Sequence, residues 1–259
     1  MLPSLFLSHG APTLPLVDTP ARSFLAGLGA LLGERPKAIL VASAHWETER
    51  PTVNAVARND TIHDFYGFPR ALFQLRYPAP GDPALAERIS DLLCEAGLAS
   101  EVDHARGLDH GAWVPLLLAW PQADIPVLQL SVQSRLGPAH HLQLGQALAR
   151  LREEGVLIVG SGSFTHDLSR FRGQPLDAPA PPDVSAFADW MSTALLEGRR
   201  CDLLTYRHKA PHAAENHPTE EHLLPLFVAL GAAGEQPRAR LLHQSGMYGI
   251  LRMDAYAFG

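Results

Sequence analysis

Residues 38–46, AILVASAHW, decide the fold. The first five residues form a continuous apolar run, which predicts a strand that is buried on both faces of a sheet. Small residues and His45 follow this run at once. Ligands of open α/β sheets bind outside the carboxyl ends of the strands. The stretch therefore predicts a buried strand of a largely parallel sheet, with a histidine at the edge where ligands bind.

Other segments repeat this pattern. Further buried strands are predicted at residues 4–7, 127–131 and 156–160, and helices at residues 22–33, 84–96, 139–154, 184–197 and 219–230. Residues 239–257 alternate in polarity and predict a hairpin around Ser245 and Gly246, near an edge of the sheet. Because strands alternate with helices, we expect an α/β fold with a central, mostly parallel or mixed sheet flanked by helices.

Length and composition fit one soluble domain. The chain has 259 residues, and the Pro-rich stretch 171–183 separates segments of the same pattern, so we interpret it as an insertion within one domain, 1–259. The net charge of −6 and the lack of a basic run argue against nucleic-acid binding. No apolar run is long enough to span a membrane or to act as a signal peptide.

The cysteines indicate a reducing compartment. Cys94 and Cys201 are too few for a disulfide framework and are not spaced as metal ligands, so we expect a cytoplasmic protein. Cys94 lies in a helical pattern and is predicted to be a buried thiol.

Histidines follow three of the predicted strands. His9 comes directly after the first strand, His45 after the second and His166 after the run 156–160. A single histidine at the end of a strand is more often a surface or capping residue than a ligand. Three on separate strands converge at one edge, and imidazole is the commonest protein metal ligand. The set therefore favours a metal site, with His9 and His45 as its surest ligands. Small residues such as Gly160 and Gly162 would leave room for a ligand.

Three more histidines are candidates. His110 lies in an exposed loop that enters a helix, and His222 about one turn into the helix 219–230, with its ring directed toward the helix N-terminus. His63 lies in residues 61–69, TIHDFYGFP, which suit either a lid that contacts substrate or a small packing cluster. Six other histidines lack such context and are predicted to be surface or loop residues: His104, His140, His141, His208, His212 and His243.

Motifs along nearly the whole chain resemble one known family. They are SHGAP at 8–12, SAHW at 43–46, TIHDFYGFP at 61–69, YPAPGDPALA at 77–86, GLDHGAW at 107–113, SFTHDL at 163–168 and PTEEHLLPL at 218–226. In this order they resemble the 4,5-DOPA-extradiol-dioxygenase-like family, within the class III extradiol ring-cleavage dioxygenase superfamily.

The resemblance implies a role for each matching histidine. His9, His45 and His222 match metal-binding positions. His166 matches a catalytic base, which is also counted as a further neighbour of the metal in some zinc-bound relatives. His110 matches a catalytic residue that contacts substrate or oxygen. The better-known branch of the superfamily has a glutamate as its third ligand. Glu220 and Glu221 stand beside His222 here, but the rotation of about 100° per helical residue is expected to direct them elsewhere.

The function that follows is a non-haem Fe(II)-dependent extradiol dioxygenase, which cleaves the aromatic ring of a catechol with O₂. One divalent metal per chain is expected, and three neutral histidines suit Zn(II) as well. A zinc-dependent hydrolase on the same fold is therefore an alternative, and a non-catalytic binding protein is a second one. A serine hydrolase is disfavoured because Ser161 lacks the glycine spacing of a nucleophile elbow.

Several details stay open in the sequence. His63, Arg70 and Arg172 are candidates to hold a substrate carboxylate, and Asp109 and Asp167 to support the neighbouring histidines. The pocket walls are expected to come from loops such as 61–69 and 171–183. A monomer or a small homo-oligomer is expected.

Overall fold

The computed structural model describes all residues from Met1 to Gly259. Its strands are β1 (Ser4–Ser8), β2 (Ala38–Glu47), β3 (Thr52–Asn54), β4 (Glu101–Asp103), β5 (Val127–Val132), β6 (Val156–Gly162), β7 (Ala239–His243), β8 (Gly246–Met247), β9 (Leu251–Arg252) and β10 (Ala255–Phe258). Its helices are α1 (Pro20–Leu32), α2 (Pro83–Glu95), α3 (His110–Ala119), α4 (Gly137–Leu148), α5 (Pro182–Leu196), α6 (Arg200–Leu204), α7 (Tyr206–Lys209), α8 (Ala213–Asn216) and α9 (Leu224–Ala232).

Eight of the strands form one mixed sheet in the order β4-β3-β5-β2-β6-β1-β10-β7. The four central strands β5, β2, β6 and β1 are parallel, so their carboxyl ends lie at one edge. Strands β10 and β7 continue the sheet in antiparallel pairing on one side, and β3 joins β5 in antiparallel pairing on the other. The predicted single-domain α/β fold with a mixed sheet flanked by helices is confirmed.

Helices cover both faces of the sheet, as the continuous apolar runs predict. Along β2, Ile39 and Val41 belong to the core cluster that includes residues of α1 and α3. Leu40 and Ala42 belong to the cluster on the opposite face, with residues of α2 and α4. Side chains alternate between the faces of a strand, so a fully apolar strand needs apolar cover on both sides. This burial fixes the strands whose ends carry the histidines.

Strand β2 is longer than predicted, and His45 lies inside it. Its pairing with β5 is regular up to Ala42 and shifts register before Glu47. Such an irregularity re-aims side chains and is common next to active sites. The two short strands β3 and β4 were not predicted, since three residues are too few to show a period.

The C-terminal segment differs from the predicted hairpin. Strand β7 does lie at an edge of the sheet, but it pairs with β10. The residues between them form the small hairpin of β8 and β9, which turns at 248–250 and not at Ser245 and Gly246.

Two helix predictions have wrong boundaries. The segment 219–230 becomes α9, which begins at Leu224, so His222 lies in turns before the helix and not one turn inside it. Pro225 explains the difference, because proline is tolerated in the first turn of a helix and not in its interior. The segment 139–154 becomes α4 followed by a short 3₁₀ helix at Ala149–Arg152.

Two burial predictions are also wrong. Cys94 is exposed on α2, where the helix turns this position away from the sheet. His141 is fully buried and not on the surface. Its Nε2 accepts the backbone N–H of Gln133, and its Nδ1 donates to the carbonyl oxygen of Gly137. Both ring nitrogens are therefore satisfied in the interior, which is the condition for burying a histidine.

None of the helices combines the length and the apolar character that crossing a bilayer requires.

Candidate metal centre

Three imidazoles meet at the carboxyl edge of the parallel strands. His9 follows β1, and His45 lies near the end of β2. Their Nε2 atoms are 3.0 Å apart, and Nε2 of His222 lies 3.2 Å from Nε2 of His45. The strand order places β1 and β2 on either side of β6, so the two histidines face each other across the end of β6.

His222 reaches this point because two glycines of β6 admit its backbone. A Cβ on Gly162 would lie 2.0 Å from the carbonyl oxygen of His222, and a Cβ on Gly160 would lie 2.0 Å from that of Pro225. The backbone N–H of Ser163 donates to the same His222 oxygen at 2.8 Å. These glycines therefore make room for the chain that carries His222, and not for a ligand as the sequence suggested.

Hydrogen bonds at Nδ1 orient two of the three rings. Nδ1 of His9 lies 3.0 Å from Oγ of Ser161, whose hydroxyl donates to the carbonyl oxygen of Gly111. Nδ1 of His222 lies 2.9 Å from Oε1 of Glu221. A ring that donates from Nδ1 keeps the lone pair on Nε2 for a metal. The expectation that Glu221 points away is wrong, because residues 220–223 form a turn and not a helix.

The donor set fits a divalent metal ion. Burial and the neighbouring imidazoles hold the pKa of His9 and that of His222 well below the ordinary range, so both rings are neutral at pH 7. Burial also lowers the pKa of His45 to about 3. Neutral imidazoles are the form that binds metals. Nitrogens about 2.1 Å from one ion are separated by about 3 Å, which matches the observed spacings.

His110 lies beside this group and is held by a carboxylate from another loop. It is the first residue of α3 and is buried, not exposed as predicted. Asp64 accepts its backbone N–H at 2.9 Å with one oxygen and lies 2.8 Å from its Nδ1 with the other. Burial opposes ionisation of Asp64, but the bonds from His110 outweigh it and hold the pKa of this carboxyl at about 2. Asp64 therefore fixes the orientation of the His110 ring.

His166 stacks on a histidine of the centre. Its ring lies parallel to that of His222, with centroids 3.4 Å apart, and its backbone N–H donates to the carbonyl oxygen of Asn216. Burial lowers its pKa to about 4, so the ring is neutral at pH 7. A ring nitrogen of His166 lies within 4.8 Å of possible ligand atoms of Glu221 and His222. His166 does not belong to the group that His9, His45 and His222 form.

A cavity of about 380 Å³ opens onto these rings. Four histidines line it, namely His9, His45, His110 and His166, whereas His222 does not. The rest of its wall is largely apolar and is formed by Gly10, Ala11, Pro12, Thr13, Phe65, Phe68, Ser163, Leu168, Phe171, Tyr248, Ile250 and Leu251. The segment 61–69 contributes to this wall as expected, and Phe171 is the contribution of the stretch 171–183.

The remaining candidates lie elsewhere. His63 sits outside the cavity wall, in an aromatic cluster with Phe65, Phe73 and Trp113. Arg70 and Arg172 are exposed and do not line the cavity.

The two aspartates beside histidines do not contact the rings. Asp109 accepts the hydroxyl of Ser43, which in turn accepts the backbone N–H of His45. Asp167 caps a short helix through the backbone N–H of Ser169. Asp64, Glu221 and Ser161 hold the rings instead. Asp64 and Glu221 each adjoin a candidate histidine in the sequence, His63 and His222 respectively, and that is the local signal that could have marked them.

Comparison with known proteins agrees with this geometry. The protein-family model described as the catalytic LigB subunit of aromatic ring-opening dioxygenase matches residues 3–259 of this chain. The chain belongs to the LigB family. It is accordingly an extradiol ring-cleaving dioxygenase, and the resemblance inferred from the motifs is confirmed.

Similar proteins support the same assignment. A 4,5-DOPA dioxygenase extradiol of Beta vulgaris is 50% identical over 98% of this chain and 96% of its own length. Another of that name, from Escherichia coli K12, is 40% identical over 91% of this LigB chain and 87% of its own length. A crystal structure of an uncharacterized protein from Escherichia coli K12 superposes with a TM-score of 0.81 at 34% identity, and both chains are covered completely.

Proposed function

We propose that this LigB-family dioxygenase holds one Fe(II) ion with His9, His45 and His222 and opens the ring of a catechol with O₂. The observation that carries the proposal is the convergence of three neutral Nε2 atoms beside a cavity that His9 and His45 line. Three protein ligands on one side of an iron ion leave positions open for other ligands. When bound, the metal would bring the catechol oxygens and O₂ together and withdraw charge from the phenol.

His166 is the group that accepts a proton from the catechol. Its neutral ring lines the cavity beside the three ligands. A general base must carry a free lone pair and lie within reach of the proton that it removes. Burial keeps the ring unprotonated at neutral pH, so this lone pair is available without prior loss of a proton.

His110 is the second proton-handling group. Its ring centroid lies 3.9 Å from that of His45 and 5.4 Å from that of His9, so it borders the place where a reacting oxygen would sit. Asp64 binds Nδ1, which leaves Nε2 free. A carboxylate at Nδ1 also stabilises an imidazolium that carries a second proton on Nε2. His110 can therefore hold and deliver a proton to oxygen during ring opening.

The cavity wall protects this chemistry. Phe65, Phe68 and Ile250 place apolar surface next to the reacting positions. Exclusion of water strengthens the electrostatic contacts inside the site and prevents side reactions of activated oxygen.

Substitution of His166 tests the proposal. The wild-type protein, loaded with Fe(II) under anaerobic conditions, is expected to consume O₂ and form a yellow ring-opened product from a catechol. His166→Ala is expected to retain bound iron and to lose about 10²- to 10⁴-fold in kcat. His104→Ala, at an exposed histidine that does not line the cavity, is the matched control. No O₂ uptake by the iron-loaded wild-type protein over a broad set of catechols would contradict the proposal.

The identity of the metal needs its own measurement. Three neutral histidines suit Zn(II) as well as Fe(II), which is why a zinc hydrolase was the alternative. Membership of the LigB family favours the dioxygenase. Metal content of the protein purified from cells, together with the O₂ dependence of its activity, separates the two. Zinc with oxygen-independent turnover would favour the hydrolase.

A further inference from the structure

We propose that Asp109 is a positioning residue, which holds the metal ligand His45 and the proton-handling His110 in a fixed relation to each other. This inference deepens the proposed function and rests on it, because that function assigns both histidines their roles. The two rings are close neighbours, with centroids 3.9 Å apart. They belong to different elements, since His45 lies in β2 and His110 begins α3. A displacement of about 1 Å between reacting groups can cost about 10²-fold in rate, so the contact between β2 and α3 bears directly on the reaction.

The side chain of Asp109 does not make the contact that is usual at its position. Asp109 is the N-cap of α3, where an aspartate ordinarily accepts a backbone N–H of the first helical turn. Its side chain makes no such hydrogen bond. Asp64, from another loop, accepts the N–H of His110. The carboxylate of Asp109 is completely buried and is directed toward β2 instead.

This buried carboxylate is connected to the backbone on both sides of the His45 ring. Oδ1 accepts the hydroxyl of Ser43 at 2.7 Å, and the Ser43 oxygen accepts the backbone N–H of His45 at 3.2 Å. Nη2 of Arg106 donates to Oδ2 at 3.0 Å and to the carbonyl oxygen of His45 at 3.4 Å. The N–H and the C=O of His45 are therefore both linked to one carboxylate, in the irregular part of β2.

The surroundings of Asp109 require a carboxylate and not only a side chain of its shape. Nε2 of Gln129 also donates to Oδ2, and Oε1 of Gln129 accepts the backbone N–H of Asp109. The guanidinium of Arg106 stacks over Trp46, 4.5 Å from the ring centroid, which keeps the cation beside the carboxylate. An ionised carboxylate only accepts hydrogen bonds, whereas an amide in its place would turn a donor toward Gln129 and Arg106.

A glycine in the first turn of α3 lets the helix approach the same strand. A Cβ on Gly111 would lie 2.5 Å from Oγ of Ser43 and 3.1 Å from Cδ2 of His45. Only a residue without a side chain permits so close an approach. The turn that carries His110 therefore lies directly on β2, and the hydrogen bonds of Asp109 fix its position there.

The visible spectrum of the Co(II)-loaded protein tests the proposal without turnover, because its d–d bands depend on the geometry of the ligands. Asp109→Asn and Ser43→Ala should each change these bands, since the backbone of His45 loses its support. Both variants should bind Co(II) about 10-fold more weakly than the wild-type protein. Ser43→Ala removes a single hydroxyl and is expected to fold normally. Bands and affinities equal to those of the wild-type protein in both variants would overturn the inference.

Asp254→Asn is the matched control. Asp254 is also completely buried and is also paired with an arginine, Arg252. Its side chain has no hydrogen bond to the network of Asp109. The same substitution should therefore cost stability here without any change in the Co(II) bands. Equal spectral changes in Asp254→Asn and Asp109→Asn would assign the effect to a general loss of structure and contradict the proposal.

Steady-state kinetics of the Fe(II)-loaded enzyme give a second measurement. We expect kcat for a catechol to fall about 10- to 100-fold in Asp109→Asn, because His110 is no longer held in place. KM should change by less than about threefold, since the cavity wall is not altered. Asp254→Asn should keep kcat within about threefold of the wild-type value. A change confined to KM in Asp109→Asn would contradict the positioning role.

A double-mutant cycle tests the connection through Ser43. If Asp109 acts on His45 through this hydroxyl, Asp109→Asn already breaks the link, and adding Ser43→Ala should cost little more. The double variant is expected to have a kcat within about threefold of that of Asp109→Asn. Effects of the two substitutions that multiply fully would show that they act independently, which would overturn the proposed connection.

Spectra and turnover together distinguish failure of this inference from failure of the proposed function. Changed Co(II) bands in Asp109→Asn and Ser43→Ala, with no catechol turnover by the Fe(II)-loaded wild-type protein, would support the positioning of His45 and refute the dioxygenase reaction. Iron-dependent O₂ uptake by the wild-type protein, with unchanged bands in both variants, would support the reaction and refute the role of Asp109.

Discussion

Nδ1 of His222 lies 2.9 Å from Oε1 of Glu221, its immediate neighbour in the chain. The turn before α9 brings the carboxylate back onto the ring, and the hydroxyl of Thr219 donates to the same oxygen. The family branch with a glutamate ligand places negative charge on the metal itself. Here the carboxylate of Glu221 contacts Nδ1 of His222. In that position it can orient the neutral imidazole and increase its basicity.

Removal of this carboxylate is expected to weaken metal binding. Glu221→Ala should lower the affinity for Fe(II) or Zn(II) about 10- to 100-fold, because the ring of His222 loses the acceptor that fixes its tautomer. Competition with a chelator measures the effect. The metal affinity of Glu221→Gln, which retains an acceptor oxygen, should fall between those of Glu221→Ala and the wild-type protein. Glu215→Ala removes an exposed carboxylate and serves as the control. Identical affinity of Glu221→Ala and the wild-type protein would show that the contact is incidental.

Gly162 is expected to tolerate no side chain. In Gly162→Ala the new Cβ would clash with the carbonyl oxygen of His222, so the strand and the ligand-bearing turn must separate. We expect a loss of about 2–3 kcal/mol in the free energy of unfolding, together with weaker metal binding. Gly27→Ala is the control: no atom lies near this helical position, and the change should add about 0.5–1 kcal/mol. Denaturant unfolding and metal titration together check the prediction, and a neutral Gly162→Ala would contradict it.

Asp64 is expected to affect the rate more than substrate binding. Asp64→Asn keeps the size of the side chain but removes the charge that supports a protonated His110. We expect kcat to fall about 10²-fold and KM for the catechol to change by less than about threefold. Asp60→Asn, at an exposed aspartate four residues before Asp64, is the control. Steady-state O₂ uptake measures both parameters, and an effect confined to KM would argue for a binding role instead.

His141 is expected to make stability depend on pH. Burial lowers its pKa from the ordinary 6.5 to about 4 in the folded protein. Above pH 6.5 the ring is neutral in both states, and its contribution is complete. As the pH falls from 6.5 toward 4, the unfolded chain binds a proton that the folded protein does not, so the free energy of unfolding decreases, by about 3 kcal/mol in total.

Substitution of His141 isolates this contribution. Denaturant unfolding of the metal-free wild-type protein and of His141→Gln is compared at pH 7 and pH 4.5. The variant should lose less stability over this range than the wild-type protein, whatever its stability at pH 7. His104→Gln, at an exposed histidine, controls for the general effect of acid. Parallel pH profiles for the wild-type protein and His141→Gln would refute the assignment.

The central strands could be predicted closely because their sequence is dominated by one physical requirement. A strand covered on both faces must be apolar throughout, and the predicted starts at residues 38, 127 and 156 coincide with those of β2, β5 and β6. The same apolar runs predict where these strands end. They also predict that His9 and His45 meet at that edge of the sheet. Edge strands such as β3 and β4 leave no comparable signal.

The contacts that hold the histidines could not be predicted from local pattern. Asp64 and His110 are 46 residues apart, and their pairing depends on how the loop before α3 folds back. The position of Glu221 does not follow from a helix over residues 219–230, because α9 begins at Leu224, with Pro225 in its first turn. The burial of His141 depends on contacts of its ring with Gln133 and Gly137, which no local sequence pattern shows.

The most direct test of the central claim is the metal dependence of O₂ uptake in matched ligand variants. The metal-free protein is reconstituted anaerobically with one equivalent of Fe(II) or Zn(II) and mixed with a catechol and O₂. The variants His9→Ala, His45→Ala and His222→Ala and the control His104→Ala are treated in the same way. The account predicts stoichiometric O₂ uptake for the Fe(II)-loaded wild type and for His104→Ala only, and none with Zn(II). Full iron-dependent uptake in any of the three ligand variants would contradict it.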